Sequence, residues 1–287
     1  MNDITTKAVL VKLSIGLPGN TRKDKRLTDE MTARHSLGAK AGRWLKQLYP
    51  QEALEPLTKL SGEARTFHYD HSLPWTDEGW RILPTAAHGD YTEKLRELRH
   101  QFEALSESHF IARLPEWTAW AMQAHNGTFN PEDYPPAGAL RRKFSFSVDF
   151  QPIPSGSDFR VDLNSDDLAS MEAQVNARVS DAIAAAQHDL WHRLATPLKA
   201  VVERLSQPEA TFRDSLIGNL RDIVSLIPKL NLTGDTALES FRAVVAKSLA
   251  SLAPQSLRDS SASRRDAAAR AQDILNQMQD YMPRGNV

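Results

Sequence analysis

The sequence predicts an α+β fold that is predominantly helical, with a small antiparallel three-stranded sheet packed against long helices, one of them coiled-coil-like. Three observations carry that prediction. Short segments alternate apolar and polar residues with period two, as half-buried strands do. Longer stretches place apolar residues three or four apart, the spacing of one helix face. The composition, 41% hydrophobic and 25% charged, is that of a chain able to build a core. With 287 residues there is material for one large domain or two modest ones. The change in pattern puts a division between an N-terminal α+β region, 1–164, and a C-terminal helical region, 165–287; one continuous domain is the alternative.

In chain order, Val9, Val11, Leu13 and Ile15 share one strand face, with Lys12 and Ser14 opposite. Residues 28–48 and about 89–112 read as amphipathic helices. Phe144, Phe146, Val148 and Phe150 form the apolar face of the clearest strand, opposed by Lys143, Ser145, Ser147 and Asp149. A turn-rich link, 151–158, leads to a third strand in which Phe159, Val161 and Leu163 oppose Arg160 and Asp162. Such an aromatic sheet face needs a cover, and helices must supply it. The longest helix begins near Ser165, with Asp166 and Asp167 suited to its first turn. Its seam runs Leu168, Met171, Val175, Val179, Ile183, Ala186, Leu190, Leu194, narrow enough for a coiled coil. Pro197 is expected to kink or end it, although Leu198, Val201, Val202 and Leu205 resume the pattern. A further helix is predicted from Pro208 to Pro228. Thr236 and Glu239 form a capping-box pattern opening a helix through Leu252. A polar helix closes the chain at about 263–282, after a Ser-, Pro- and Ala-rich link at 253–263.

Composition excludes several chemistries. Cysteine is absent, so disulfides, thiolate metal sites and cysteine nucleophiles are excluded together. The net charge of −1 provides no overall field toward nucleic acid or membrane. The charge is uneven, however: the first fifty residues hold ten Lys and Arg against four Asp and Glu, leaving the remainder acidic. The opening residues lack the cationic region and cleavage site of a signal peptide. No run reaches about eighteen apolar residues. The expectation is a cytoplasmic protein with no membrane partner.

Four of the five residues Arg22-Lys-Asp-Lys-Arg26 are cationic, in a segment that follows a strand and precedes a helix. The Gly-Lys-Ser/Thr ending of a phosphate-binding loop is missing. Arg22, Lys23, Lys25 and Arg26 therefore read either as a solvated connection or as a grip on a nucleic-acid backbone. Trp75 and Trp80, in a stiff stretch with Pro74 and Pro84, are candidates for stacking or anchoring a partner, or else dock onto the core. Trp117 and Trp120 raise the same alternatives. His188 and His192 share a helix face and are weak metal candidates, since the spacing supplies neither a third ligand nor the glutamate of a metalloprotease helix. His68, Asp70 and His71 form a second weak cluster. No nucleophile-elbow motif occurs. The pairs Asp166/Asp167 and Glu132/Asp133 read as helix-start residues and solvated loop charges. No catalytic residue, metal or cofactor is assigned.

Several segments taken together carry a resemblance: Asp3-Ile-Thr-Thr-Lys-Ala-Val-Leu-Val11, Arg65-Thr-Phe-His-Tyr69, Leu73-Pro-Trp-Thr-Asp-Glu-Gly-Trp-Arg-Ile-Leu-Pro84, Asp158-Phe-Arg-Val161, Phe212-Arg-Asp-Ser-Leu-Ile-Gly-Asn-Leu220 and Leu230-Asn-Leu-Thr-Gly234. In this order they resemble an uncharacterised family of phage, prophage and plasmid proteins. The resemblance implies a host-cytoplasm setting and a neighbourhood of AAA+ ATPases or recombination proteins. Some members carry a hydrolase or metal-binding label that no ligand set here matches. The resulting expectation is a non-enzymatic, self-associating binding or assembly protein of DNA metabolism, acting through single-stranded DNA. The alternatives are an adaptor for an AAA+ ATPase without DNA contact, and a metal-dependent hydrolase.

Overall fold

The computed structural model describes residues 4–38, 40–75, 79–156, 164–207 and 210–282. Within them the chain is α+β and predominantly helical. The elements run β1 (Ala8–Gly16), β2 (Thr21–Lys23), α1 (Lys25–Arg34), β3 (Leu45–Gln47), α2 (Gln51–Asp70), β4 (Leu73–Pro74), β5 (Arg81–Pro84), α3 (Thr85–Leu105), α4 (Leu114–His125), α5 (Ala137–Arg141), β6 (Ser145–Gln151), α6 (Ser165–Leu205), α7 (Ser215–Leu230), α8 (Thr236–Val245), α9 (Pro254–Asp259) and α10 (Ser261–Met278). One sheet has the order β4-β5-β1-β6, and β2 pairs with β3 in a separate two-stranded ribbon. At the end of β1, a Cβ on Gly16 would lie 2.5 Å from Ser145 Oγ and 3.2 Å from the Lys143 carbonyl. Glycine is what permits the close approach to β6 there.

The sheet differs from the three-stranded expectation. On one side β1 neighbours β6, but its other neighbour, β5, comes with β4 from the Leu73–Pro84 stretch, where no strand is predicted, and the predicted strand at 159–163 lies outside the described residues. The aromatic face of β6 is covered only in part. Phe146 is buried, but Phe150 is 44% exposed beside the His88 ring. The predicted helix 28–48 is also corrected. Helix α1 ends at Arg34, and Ser36 takes a left-handed φ of 49°. The chain then turns through Gly38 and Gly42 and returns as β3. Counting an apolar period across those breakers produced the longer helix.

Several helix starts differ from their sequence signals. Asn164 rather than Ser165 caps α6, and Asp235 rather than Thr236 caps α8. Pro197 stays inside a continuous α6. Helix α7 starts at Ser215, with residues 210–213 non-helical and Pro208 outside the described residues. The expected link at 253–263 contains α9.

The chain divides into two compact units, each built from several segments. The first comprises 1–12, 69–91 and 149–287, and the second 13–68 and 92–148. All of 165–287 therefore lies in one unit, but three earlier stretches join it. The reason lies in the core: the first strand and the 73–84 hairpin supply Leu10, Leu73, Ile82 and Leu83, all essentially inaccessible. In that unit α6 packs on α7 and α10. The buried part of its seam runs from Ala182 through Leu190, Leu194 and Leu198 to Leu205, so this half is covered by helices of the same chain. The earlier positions Leu168, Met171, Val175 and Val179 are half-buried.

Two polar hubs tie this unit together. Arg193 of α6 donates to the carbonyls of Asp70 (2.6 Å), Ser72 (2.8 Å) and Tyr69 (3.0 Å), and pairs with Asp189 at 2.8 Å. Arg81 shares the task, donating to Ser72 Oγ at 2.7 Å and its carbonyl at 2.9 Å, with its guanidinium over the Tyr69 ring. Burial, then the nearby charge of Arg193, pulls Arg81 below its ordinary value, while Asp189 opposes the shift. The planar five-donor guanidinium suits this work, because a lysine cannot reach three carbonyls in a fixed fork.

The second hub is Asp235. Its carboxylate accepts from Ala237 N and Leu238 N at the start of α8, and from Gln187 Nε2 and Trp191 Nε1 on α6. Burial raises this carboxyl, but the hydrogen bonds from Leu238 N, Gln187, Trp191 and Ala237 N together outweigh it and hold the group below the usual range. A depressed folded value means stability that is full above the unfolded value of about 3.9 and fades as pH falls through the folded one. Asp235→Ala is expected to cost about 1–2 kcal/mol at pH 7. In urea unfolding, the gap from the unaltered chain should narrow below about pH 4. A gap of equal size at pH 7 and pH 3 would show that the ionised form is not what stabilises the cap.

Candidate nucleic-acid interface

The predicted basic loop is not a loop. Arg22 and Lys23 lie on β2 and Lys25 and Arg26 open α1, with Asp24 between as its cap, accepting from Leu27 N at 2.9 Å. Pairing of β2 with β3 matches Thr21 to Gln47, Arg22 to Lys46 and Lys23 to Leu45. Since side chains alternate along a strand, Arg22 and Lys46 share one face of the ribbon and Lys23 and Leu45 the other.

The Arg22/Lys46 face meets the turn after α4. Asn126 ends that helix with a φ of 41° and a ψ of −120°, which breaks the helical path. Asn130 then caps the short turn Pro131–Asp133 by accepting from Glu132 N at 3.1 Å. This turn delivers Asp133 to the ribbon. Arg22 Nε lies 3.1 Å from Asp133 Oδ1, and Lys46 Nζ pairs with Asp133 Oδ2. Lys46 Nζ also donates to the Thr128 carbonyl at 3.3 Å and lies 3.9 Å from Asp24 Oδ2. The side chains of Lys46 and Asp133 are only 5% and 7% exposed. Asp133, which its sequence context presents as a solvated loop charge, is instead a buried carboxylate with two cations on it.

A pocket of about 340 Å³ opens over the cluster. Its walls include Arg22, Lys23, Lys25, Arg26 and Lys46 against two carboxylates, Asp24 and Asp133. The carboxylates offset Lys46 and Arg22, leaving the wall cationic. Arg26 donates to the Gly127 carbonyl at 3.4 Å. Lys23 and Lys25 are exposed and form no ion pair among the described residues. The pocket thus has donors in fixed positions, with the exposed Lys25 at its wall and the exposed side chain of Lys23 on the other face of the ribbon, a combination suited to anionic oxygens.

One aromatic residue here was not among the sequence candidates. Trp44 is 48% exposed. It is fixed by its backbone, whose N–H donates to Thr28 Oγ1 at 3.0 Å and whose carbonyl accepts from Asp24 N at 3.0 Å. Trp44 stands one residue before β3, at the end of the ribbon. Its neighbours Arg43 and Leu45 are exposed as well. The signal available in the sequence was a tryptophan two residues from a strand lysine in the most basic part of the chain; reading 28–48 as one helix hid it.

The other candidates are placed elsewhere. Trp75 is half-buried and lines a shallow groove with Gln174, Arg178 and Asp181 of α6. Trp80 is half-buried with Lys12 Nζ 5.8 Å from its ring centre. Trp117 is buried, its indole N–H donating to the Phe110 carbonyl at 3.2 Å, and Trp120 packs edge-on against His125. On α6, His192 is exposed and its Nδ1 lies 3.3 Å from Thr196 Oγ1, while His188 is half-buried. His68 is buried. Among the described residues, no three His, Asp or Glu are grouped to hold a metal ion. No described helix is long and apolar enough to cross a membrane. Comparison with protein families, curated proteins and solved structures found no match.

Removing a partner from a buried ion pair strands the other charge, at about 3–5 kcal/mol. Asp133→Ala is therefore expected to destabilise the fold by that amount in urea unfolding, and Lys46→Met combined with Asp133→Leu to recover most of it. A single variant as stable as the unaltered chain would show that Arg22 and Lys46 do not need Asp133 to hold the ribbon.

Proposed function

We propose that the protein binds single-stranded DNA as a non-enzymatic component of DNA metabolism, using the β2–β3 ribbon and the start of α1. The observation that carries this reading is the juxtaposition of a cationic pocket with an exposed tryptophan whose backbone is fixed at the end of the same ribbon. A backbone phosphate needs cations with solvent-facing donors, which Lys23, Lys25 and Arg26 provide. An unstacked base needs an aromatic surface, which Trp44 provides. The two demands occur together in single-stranded nucleic acid. Arg22 has a different role from the one its sequence position suggests: its Nε is engaged by Asp133 and its Nη1 by the Glu132 carbonyl, so it orders the pocket.

Anisotropy titration of a labelled oligothymidylate at several salt concentrations tests this. Lys23→Ala combined with Lys25→Ala is expected to weaken binding about tenfold or more at low salt. It should also reduce the salt slope by about 1.4, the equivalent of two lost phosphate contacts on a single strand. Trp44→Ala is expected to weaken binding about 5- to 100-fold with the salt slope unchanged. Binding by the unaltered chain that ignores both substitutions would remove the ribbon from the interface. No binding at low salt would sink the DNA reading and favour a protein partner.

A further inference from the structure

Across Phe129 from the cationic pocket lies a second pocket, of about 530 Å³, with walls that include Tyr49, Leu114, Pro115, Met122, Phe129 and Tyr134. The two share Phe129 as a wall. The turn after α4 feeds both, giving Asn130 and Asp133 to the cationic side and Pro131 and Tyr134 to this one. No charged residue lines the second pocket. Phe129 and Tyr134 are stacked, with ring centres 5.1 Å apart and planes 20° from parallel, and Tyr49 meets Tyr134 edge-on at 5.9 Å.

We propose that this pocket receives a nucleobase, so that one nucleotide straddles Phe129 with its phosphate on the cationic side and its base on the aromatic side. The inference rests on the DNA-binding reading above and adds a site to it. Three features favour a base over an aliphatic chain or a proline-rich peptide. The flat walls of Phe129, Tyr134 and the adjoining prolines match a planar ring, whose π-face stacks whatever its substituents. The lining tyrosines bring two phenols whose hydroxyls are buried and make no hydrogen bond among the described residues. Burial, followed by Asp133 and Tyr49, keeps Tyr134 protonated up to about 12. Both hydroxyls are closed off from solvent, so a ligand reaches them only when the Tyr49 or Tyr134 side chain shifts; an oil-like ligand gains nothing from that shift, whereas a heterocycle brings ring nitrogens and carbonyls to them. The cationic neighbour, finally, matches the negative charge that a nucleotide always carries beside its base and that a proline-rich peptide lacks.

The test compares a base-bearing oligonucleotide with an abasic phosphodeoxyribose chain of equal length and charge, by anisotropy. It is run on the full chain carrying Trp44→Ala, so that ribbon stacking does not contribute. A preference of at least about fivefold for the base-bearing strand is expected to persist. Ala119→Leu, at an exposed position of α4 lining the pocket, should abolish that preference and leave abasic binding unchanged. Phe129→Leu, which retains bulk without stacking, should reduce it as well. Equal binding of the two strands by the Trp44→Ala chain would overturn the base pocket while leaving backbone binding intact. A preference untouched by Ala119→Leu would overturn it too. If the unaltered chain binds neither strand, both this site and the DNA reading fall.

Discussion

A carboxylate taken out of water has to be surrounded by donors or neutralised, and Asp133 is the place where this chain meets that demand. Its oxygens receive Arg22 and Lys46, which face each other across one rung of a three-residue ribbon. Such a ribbon is too short to be stable alone, so the pair of charges does for β2 and β3 what a larger sheet would do by packing. Everything proposed for the site depends on it. Lys23 and Lys25 stand free because Arg22 and Lys46 are occupied, and Trp44 is held outward because its backbone is bonded to Asp24 and Thr28 at the ribbon's end.

The same logic of charge serving backbone recurs in the other unit. Arg193 and Arg81 gather the carbonyls of residues 69–72, and Asp235 gathers two backbone amides, an amide side chain and an indole. Each charge is met by several oriented dipoles, with Asp189 added as a counter-ion at Arg193, which is how ionised groups are accommodated at low cost inside proteins. The apolar core around these hubs is formed by Trp191, Leu194, Leu198, Ile217 and Leu220. It supplies the bulk of the burial energy; the hubs decide which turns and caps the helices meet.

The two pockets beside the 126–134 turn show how one loop serves opposite environments. Alternate residues of a tight turn project to different sides, so Asp133 is turned toward cations while Tyr134 lies among aromatic rings and prolines. A nucleotide has the same division between a charged and a flat apolar part. That correspondence, together with the exposed tryptophan, is why nucleic acid is a more economical ligand for this surface than a purely acidic or purely apolar partner.

Periodicity alone was enough to determine that the chain is α+β and mostly helical, to place strands at β1 and β6, and to find α6 and α10 within a few residues, because amphipathic spacing is a local property. The basic cluster at 22–26 was equally legible, since charge density needs no fold. Tertiary structure decided the rest. Glycines and a left-handed Ser36 ended α1 and turned its predicted continuation into β3, exposing Trp44. The hairpin at 73–84 became sheet through pairing with β1, a contact between residues more than sixty positions apart. Asp133 acquired its meaning only when a turn about ninety residues away in sequence brought it to Lys46. Pairing across such distances leaves no period in the chain, so a carboxylate destined for burial and one destined for solvent are written with the same letter.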